Sequence, residues 1–297
     1  MSAIEFLPGT LGASPPGLLR RFRVALLHDP LAVLSLIVLA ALAIAAIAGS
    51  RIAPYPAQGE GASNIATRML APDATHWFGT DQYGRDVLSR IIVGARSAVA
   101  VSLLVVGLAM VVGVPLGAIA GYRRGRLDAV IMRLTDLFLA FPPLLLAMAI
   151  VAALGPGLDH AALALAISWW PWYARLARGT AISLRERSFI EAARSIGITD
   201  RQILLRHILP NSAAPILVQA TVDLGTVILA AGSLAFLGLG ASPPAPDWGL
   251  MVADGRTYIL NQWWLPTFPG LAIFVSVLAV NVVGDLLRDL IDPRRSG

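Results

Sequence analysis

Few side chains in this 297-residue sequence stand where chemistry could be done. The four histidines, His28, His76, His160 and His207, lie in different loops, with no i, i+4 pair and no histidine–carboxylate cluster of the metal-ligating kind. Cysteine is absent, which excludes disulfides and thiolate sites. Lysine is absent too, so all 23 basic residues other than histidine are arginines, and no GxxxxGK[ST] loop is present to cradle nucleotide phosphates. No catalytic or metal site is expected, and any ATP must act on another chain. Two features remain. Asp136 and Asp223 fall within apolar stretches, where burying a charge costs several kcal/mol and an ionisable group defaults to a functional reading. For both the bland alternative is an interhelical or interfacial hydrogen bond, with Arg133 in helical reach of Asp136.

The second feature is mechanical. Residues 188–211, SFIEAARSIGITDRQILLRHILPN, form a polar, amphipathic insert between two long apolar segments. Ser188 with Glu191, and Thr199 with Gln202, fit the S/T-x-x-E/Q capping box, so two short helices are expected to start here. Ile198 and Ile203 match a hydrophobic staple, Gly197 suits the left-handed residue that ends the first helix, and Pro210 is expected to close the second. Ile203, Leu204 and Ile208 then stand at helical spacing for a partner's groove. A loop folded back onto its own bundle is the competing reading.

The elements that must position these groups are membrane spans. The chain is 57% hydrophobic and 14% charged, more apolar than the roughly half typical of soluble domains. Runs of about 20 apolar residues predict six spans, at 31–50, 97–120, 129–153, 161–176, 213–239 and 265–283. Asp29 and Pro30 cap the first, which is too long and too far into the chain for a cleaved signal peptide and is expected to be retained. With the N-terminus inside, Arg20, Arg21, Arg23, Arg123, Arg124, Arg126, Arg133, the seven arginines from Arg175 to Arg206, Arg288, Arg294 and Arg295 are cytoplasmic, which is seventeen of the 23. The positive-inside rule therefore puts both termini and residues 188–211 in the cytoplasm. The net charge of +5 follows this topology and forms no dense run of the nucleic-acid type.

Glu191, Ala192, Ala193, Gly197, Ile203, His207, Pro210 and Asn211 resemble the EAA loop of ATP-binding-cassette (ABC) importer permeases. The resemblance implies that this loop is a coupling helix docking into a separate ATPase, with Ser188 and Leu204 in the same surface. Residues 76–96 resemble the GTDxxGRDxxSR signature of one permease type, the C-type subunit of dipeptide, oligopeptide and nickel importers, through Gly79, Thr80, Asp81, Gly84, Arg85, Asp86, Ser89 and Arg90. By spacing alone, Asp81–Arg85 and Asp86–Arg90 read as helical pairs on an amphipathic interfacial helix with Val87, Leu88, Ile91 and Ile92 as its apolar face, lining the external mouth or, preferably, bracing the second span. FLGLG at 236–240, PDWG at 246–249, FPG at 268–270 and the segment 281–294 extend the likeness over nearly the whole chain beyond residue 18. Trp170, Pro171, Trp172, Tyr173, Ala174 and Arg175 match as well, and their aromatics suit an interface belt. Ala231 departs from the pattern, which commonly has an acid there.

These likenesses imply an all-α integral membrane protein of six transmembrane helices, the type I ABC importer permease fold. Residues 1–75 would hold the N-terminal segment, first helix and external loop, and residues 76–297 a five-helix permease core. The implied function is the membrane subunit of an ATP-driven importer of dipeptides or oligopeptides in a bacterial inner membrane. Its implied partners are a second homologous permease, two nucleotide-binding subunits carrying ATP and magnesium, an external solute-binding protein and membrane lipid. Nickel chelates are an alternative cargo. An ion- or proton-driven secondary carrier is an alternative class, disfavoured by the capped loop and by the lack of a visible inverted repeat of broken helices. Gly113, Gly117 and Gly121 offer a close-packing face for a helix of this chain or of another subunit. Pro115 and the pair Pro142–Pro143 mark breaks in helical hydrogen bonding.

Overall fold

A backbone in lipid must satisfy its own hydrogen bonds, and helices do this within one segment. The structure, a computed structural model, describes residues 29–291. His28 and the arginines at 20, 21, 23, 294 and 295 lie outside the described residues. The helices are α1 (Pro30–Ile52), α2 (Pro56–Gly59), α3 (Val87–Arg123), α4 (Gly125–Leu139), α5 (Pro143–Leu154), α6 (Leu158–Arg185), α7 (Ser188–Ser195), α8 (Asp200–Ile203), α9 (Leu209–Phe236), α10 (Trp248–Gly255) and α11 (Trp264–Ile291). The only β pairing among the described residues is an isolated bridge, Thr80 with Asp86.

Asp29 caps α1 as expected, its carboxylate accepting from Leu31 N at 2.9 Å and Ala32 N at 3.2 Å. Four helical segments are long and apolar enough to cross a membrane: α1, α3, the continuous run Asp200–Phe236, and α11. The expected third span is not one straight helix, because α4 and α5 meet at an 84° bend where Pro142 and Pro143 stand; counted together they give a fifth. The expected fourth, α6, has the length but carries Asp159, Arg175, Arg178 and Arg185, so on composition the count of six is not reached.

The main core lies between α3, α6 and α9, around Val105, Ala109, Leu165, Tyr173, Ala177, Val227 and Leu234. The three glycines settle the closest approach. A Cβ at Gly113 would strike Trp170 O, one at Gly117 would overlap Ala174 O, and one at Gly121 would lie 2.5 Å from Arg178 O. The stripe is therefore an internal contact of α3 with α6, not a subunit surface. It also corrects the aromatic belt, since Trp170 and Tyr173 are buried in this contact while Trp172 is half exposed. Pro115 and Pro171 sit inside α3 and α6 without ending either helix. Smaller cores close the two ends, one around Tyr122, Ile190, Ile203 and Ile208, the other around Val87, Trp248, Met251 and Trp264.

Candidate functional site

At the Tyr122 end, α7 and α8 make the helix–turn–helix, but its construction differs from expectation in three respects. Ser188 is not a cap: it is the first residue of α7, the cap position belongs to Arg187, and no side chain caps that end. Pro210 does not close α8. The helix passes through a π turn, Leu204–Ile208, and runs on as α9. A proline lacks the N–H and crowds the carbonyl one turn back, and widening that turn keeps the helix continuous. The Asn211 amide donates to His207 O at 2.6 Å within this widened turn. Third, Ile203, Leu204 and Ile208 are buried in this chain's own core with Ala118, Tyr122 and Ala181, so they anchor the unit rather than plug a partner.

The second box is present in full. Thr199 Oγ1 accepts from Gln202 N at 3.4 Å and Gln202 Oε1 accepts from Thr199 N at 3.2 Å. Gly197 takes φ +81°, its N–H donating to Arg194 O at 2.9 Å and that of Ile198 to Ala193 O at 3.1 Å, the Schellman pattern. Ile198 packs on the core that holds Ile203. With Ile190 and Ala193 buried, the opposite face is left to solvent: Phe189, Glu191, Ala192, Arg194, Ile196, Arg201 and Leu205 are exposed, Ile196 at 77%. His207 lies beside Phe189, ring centroids 6.3 Å apart.

Tyr122, at the end of α3, is the bearing on which this unit sits, and sequence reasoning missed it. Its hydroxyl donates to Asp200 Oδ1 at 2.6 Å, its carbonyl accepts from Arg185 Nη1 at 2.7 Å, and Arg194 lies 5.3 Å over its ring. Arg124 pairs with Glu186 at 2.5 Å across the same corner. An aromatic between Gly121 and two arginines at the end of a predicted span was the available signal. On the adjoining helices Asp128 takes both Nε and Nη2 of Arg178, at 2.6 and 2.8 Å. Asp136 pairs with Arg175 at 2.7 Å, not with Arg133, and the pair is more than half exposed. Asp223 is buried on α9, where Oδ1 accepts from Gln219 Nε2 at 3.1 Å.

At the start of α3 the signature residues fold as a compact turn, not as the expected interfacial helix. Gly79 and Gly84 have positive φ, and Asp86 caps α3 by accepting from Ser89 N at 2.8 Å. Asp81 does meet Arg85, at 2.6 Å, but Asp86 does not meet Arg90. Asp86 instead holds His76 at 2.8 Å and the Ser89 hydroxyl at 2.7 Å. Arg90 turns to Asp81 at 3.7 Å and donates to Pro244 O at 3.2 Å and Ala245 O at 3.1 Å. Thr80, Asp81, Arg85, Asp86, Ser89 and Arg90 are all buried, so the turn clasps the loop before α10 onto α3. Trp248 and Trp264 complete it, their indole N–H groups donating to Ile91 O at 2.9 Å and Thr80 O at 3.3 Å. Burial raises the Asp254 carboxyl above its usual range here, against the lowering pull of Gln82, Arg85 and Arg90. Among the described residues no group of three or more His, Asp or Glu side chains is placed to hold a metal.

Comparison with known proteins fits this two-ended architecture. The model of the binding-protein-dependent transport system inner membrane component matches residues 113–297, and that of the N-terminal TM domain of oligopeptide transport permease C matches residues 17–72. The chain is 47% identical over 236 residues to the probable D,D-dipeptide transport system permease protein DdpC of Escherichia coli K12, covering 80% of this chain and 79% of the relative. It is 49% identical to the dipeptide transport system permease protein DppC of Alkalihalophilus pseudofirmus over 78% of this chain and 76% of the relative. It is 44% identical to the glutathione transport system permease protein GsiD of E. coli O6:K15:H31 over 94% and 90%. A chain of the MetNI methionine ABC transporter in inward-facing conformations shares the fold, with TM-score 0.56 at 20% identity, covering 68% of this chain and 97% of that one. Helical spans, an anchored helix–turn–helix and these matches together place the chain in the family of binding-protein-dependent transport system inner membrane components, as a multi-pass permease subunit of an ABC transporter.

Proposed function

We propose that this chain is one of two homologous, non-identical permease subunits of an ATP-driven peptide importer. The α7–α8 end faces the cytoplasm and docks on an ATPase subunit that carries ATP and magnesium, and the Asp81–Arg90 end faces an external solute-binding protein. One observation carries the reading. The helix–turn–helix divides its apolar residues between two faces: Ile190, Ala193, Ile203 and Ile208 are spent on the chain's own core, while Phe189, Ile196 and Leu205 remain exposed among arginines. An exposed apolar patch rimmed by charge is the usual form of a protein-binding surface. The names of the relatives, dipeptide, D,D-dipeptide and glutathione transport permeases, support peptide as the cargo class. The arginine distribution supports the sidedness.

The absence of native cysteine makes the test direct. Ile196→Cys, in the importer reconstituted with its ATPase, is expected to cross-link to the ATPase with a yield that changes with nucleotide, while Ile65→Cys at the other end forms no such link. Labelling of Ile196→Cys by a membrane-impermeant thiol reagent from the external side, with no ATPase adduct, would overturn the assignment.

A further inference from the structure

Between α5, α6 and α9 the structure contains a cavity of about 530 Å3, walled by Leu144, Trp169, Trp172, Gln219, Asp223 and Ser233 among others. This is within the roughly 300–1,000 Å3 of small-molecule pockets. Most of the wall is apolar, and its hydroxyl and carboxyl groups present acceptors. Ser233 Oγ donates to Leu229 O at 2.8 Å and Thr226 Oγ1 to Val222 O at 3.3 Å, so both hydroxyl protons are committed to their own helix and the oxygens are left as acceptors. Gln219 donates one Nε2 hydrogen to Asp223 Oδ1 and keeps the other N–H together with Oε1, an acceptor. Asp223 is 7% exposed; its Oδ2 has no hydrogen-bond partner, and the side chains that act on its carboxyl are Tyr173, Gln219 and Trp169, all uncharged. The Tyr173 hydroxyl faces it but is itself without a hydrogen bond.

A carboxyl buried without a counter-ion is costly, and placing it beside two indoles and the hydroxyl acceptors of Thr226 and Ser233 favours one ligand chemistry. An ammonium group supplies the missing positive charge, has three N–H donors for these acceptors, and is attracted to an indole face. An anionic group meets the wrong charge and few donors. We propose that Asp223 and this cavity form a subsite for the cationic amino group of the solute in transit, the α-ammonium of a peptide. The identity of the amine as a peptide terminus rests on the import function proposed above.

The test uses the whole importer, this chain with the second permease and both ATPase subunits, in nanodiscs without the solute-binding protein. Alanyl-phenylalanine amide and its N-acetyl form are titrated calorimetrically. The expected result is a preference of at least ~10-fold for the free amine, lost in Asp223→Asn and kept in Asp223→Glu and Tyr173→Phe. Trp172→Leu, on the exposed side of the cavity, is expected to weaken the preference without abolishing it, and serves where Asp223→Asn fails to assemble. Equal binding of the two peptides, binding of neither, or a preference that Asp223→Asn retains overturns the proposal; the last result would make Asp223 and Tyr173 a closed internal pair. ATP-driven peptide uptake with the binding protein, measured on the same preparation, separates failure of the subsite from failure of the import reading.

Discussion

Gly121→Ala probes the contact on which both ends of the molecule depend. A methyl at this position would stand 2.5 Å from Arg178 O and 2.9 Å from Ala181 Cβ, whereas relaxed non-bonded contacts lie near ~3.5–4.0 Å. Neither neighbour is the end of a flexible side chain, so α3 and α6 must separate locally. Overpacking of this kind costs about 1–3 kcal/mol, against which alanine's better helix propensity returns up to ~1 kcal/mol. Gly107→Ala, on the same helix with nothing within 4 Å of the new methyl, gains the same propensity without the clash. The difference between the two variants therefore isolates packing. At about 2–4 °C per kcal/mol for a chain of this size, Gly121→Ala is expected to melt roughly 2–12 °C below Gly107→Ala in the purified importer. Because Tyr122 follows Gly121 and carries the helix–turn–helix, the number of ATP molecules hydrolysed per solute imported is expected to rise as well. Equal melting temperatures would refute the helix–helix reading. Loss of subunit assembly with the chain's own stability intact would return the glycines to a subunit surface.

Thr199→Ala removes a real cap and is expected to cost about 1 kcal/mol, seen as faster amide hydrogen exchange over residues 199–204, whereas Ser188→Ala, outside any cap, changes exchange by less than ~0.5 kcal/mol. Asp247 caps α10 by accepting from Leu250 N at 3.0 Å, and burial raises its carboxyl above the ordinary 3.8. A raised carboxyl contributes stability that is present below that ordinary value and is lost as pH rises through the folded-state value. Asp247→Asn keeps an acceptor for the cap and is expected to flatten the fall in melting temperature from about pH 4 towards neutrality; an unchanged pH profile counts against burial as the cause.

What the sequence disclosed was what depends on near neighbours. The Thr199–Gln202 box, the left-handed Gly197 and the Asp29–Pro30 start each need only residues within four positions, and each formed as read. The EAA-like and GTDxxGRDxxSR-like motifs pointed to the permease family, and membership of that family displaces the secondary-carrier alternative. The errors arise where a distant element decides. Ser188 carries a cap signature, but Arg187 takes the extended conformation at φ −82°, ψ 143° after Glu186, which Arg124 holds, and Ser188 enters the helix instead. Asp86 and Arg90 have helical spacing, yet His76 takes the first and the Pro244–Ala245 carbonyls the second, from 10 and 154 residues away. Pro210 signals a stop that the π turn absorbs.

The same long-range contacts explain why one helix can link two remote sites. α3 has 37 residues, roughly 55 Å at 1.5 Å per residue, with the Asp86 cap and buried Arg90 at its start and Tyr122 at its end. Along the intervening length Gly113, Gly117 and Gly121 set it against the backbone of α6, which leads directly into α7. Sliding one helix past the other would lift these glycines off the carbonyls of Trp170, Ala174 and Arg178 and drive Cβ-bearing neighbours onto them, so such contacts favour movement of the two helices together. A push on α7 therefore reaches the far end through α3 and α6 as a unit, while α4 is tied to α6 through exposed or half-buried ion pairs and, beyond the 84° bend, α5 buries Ala147 and Val151 in the core it shares with α6.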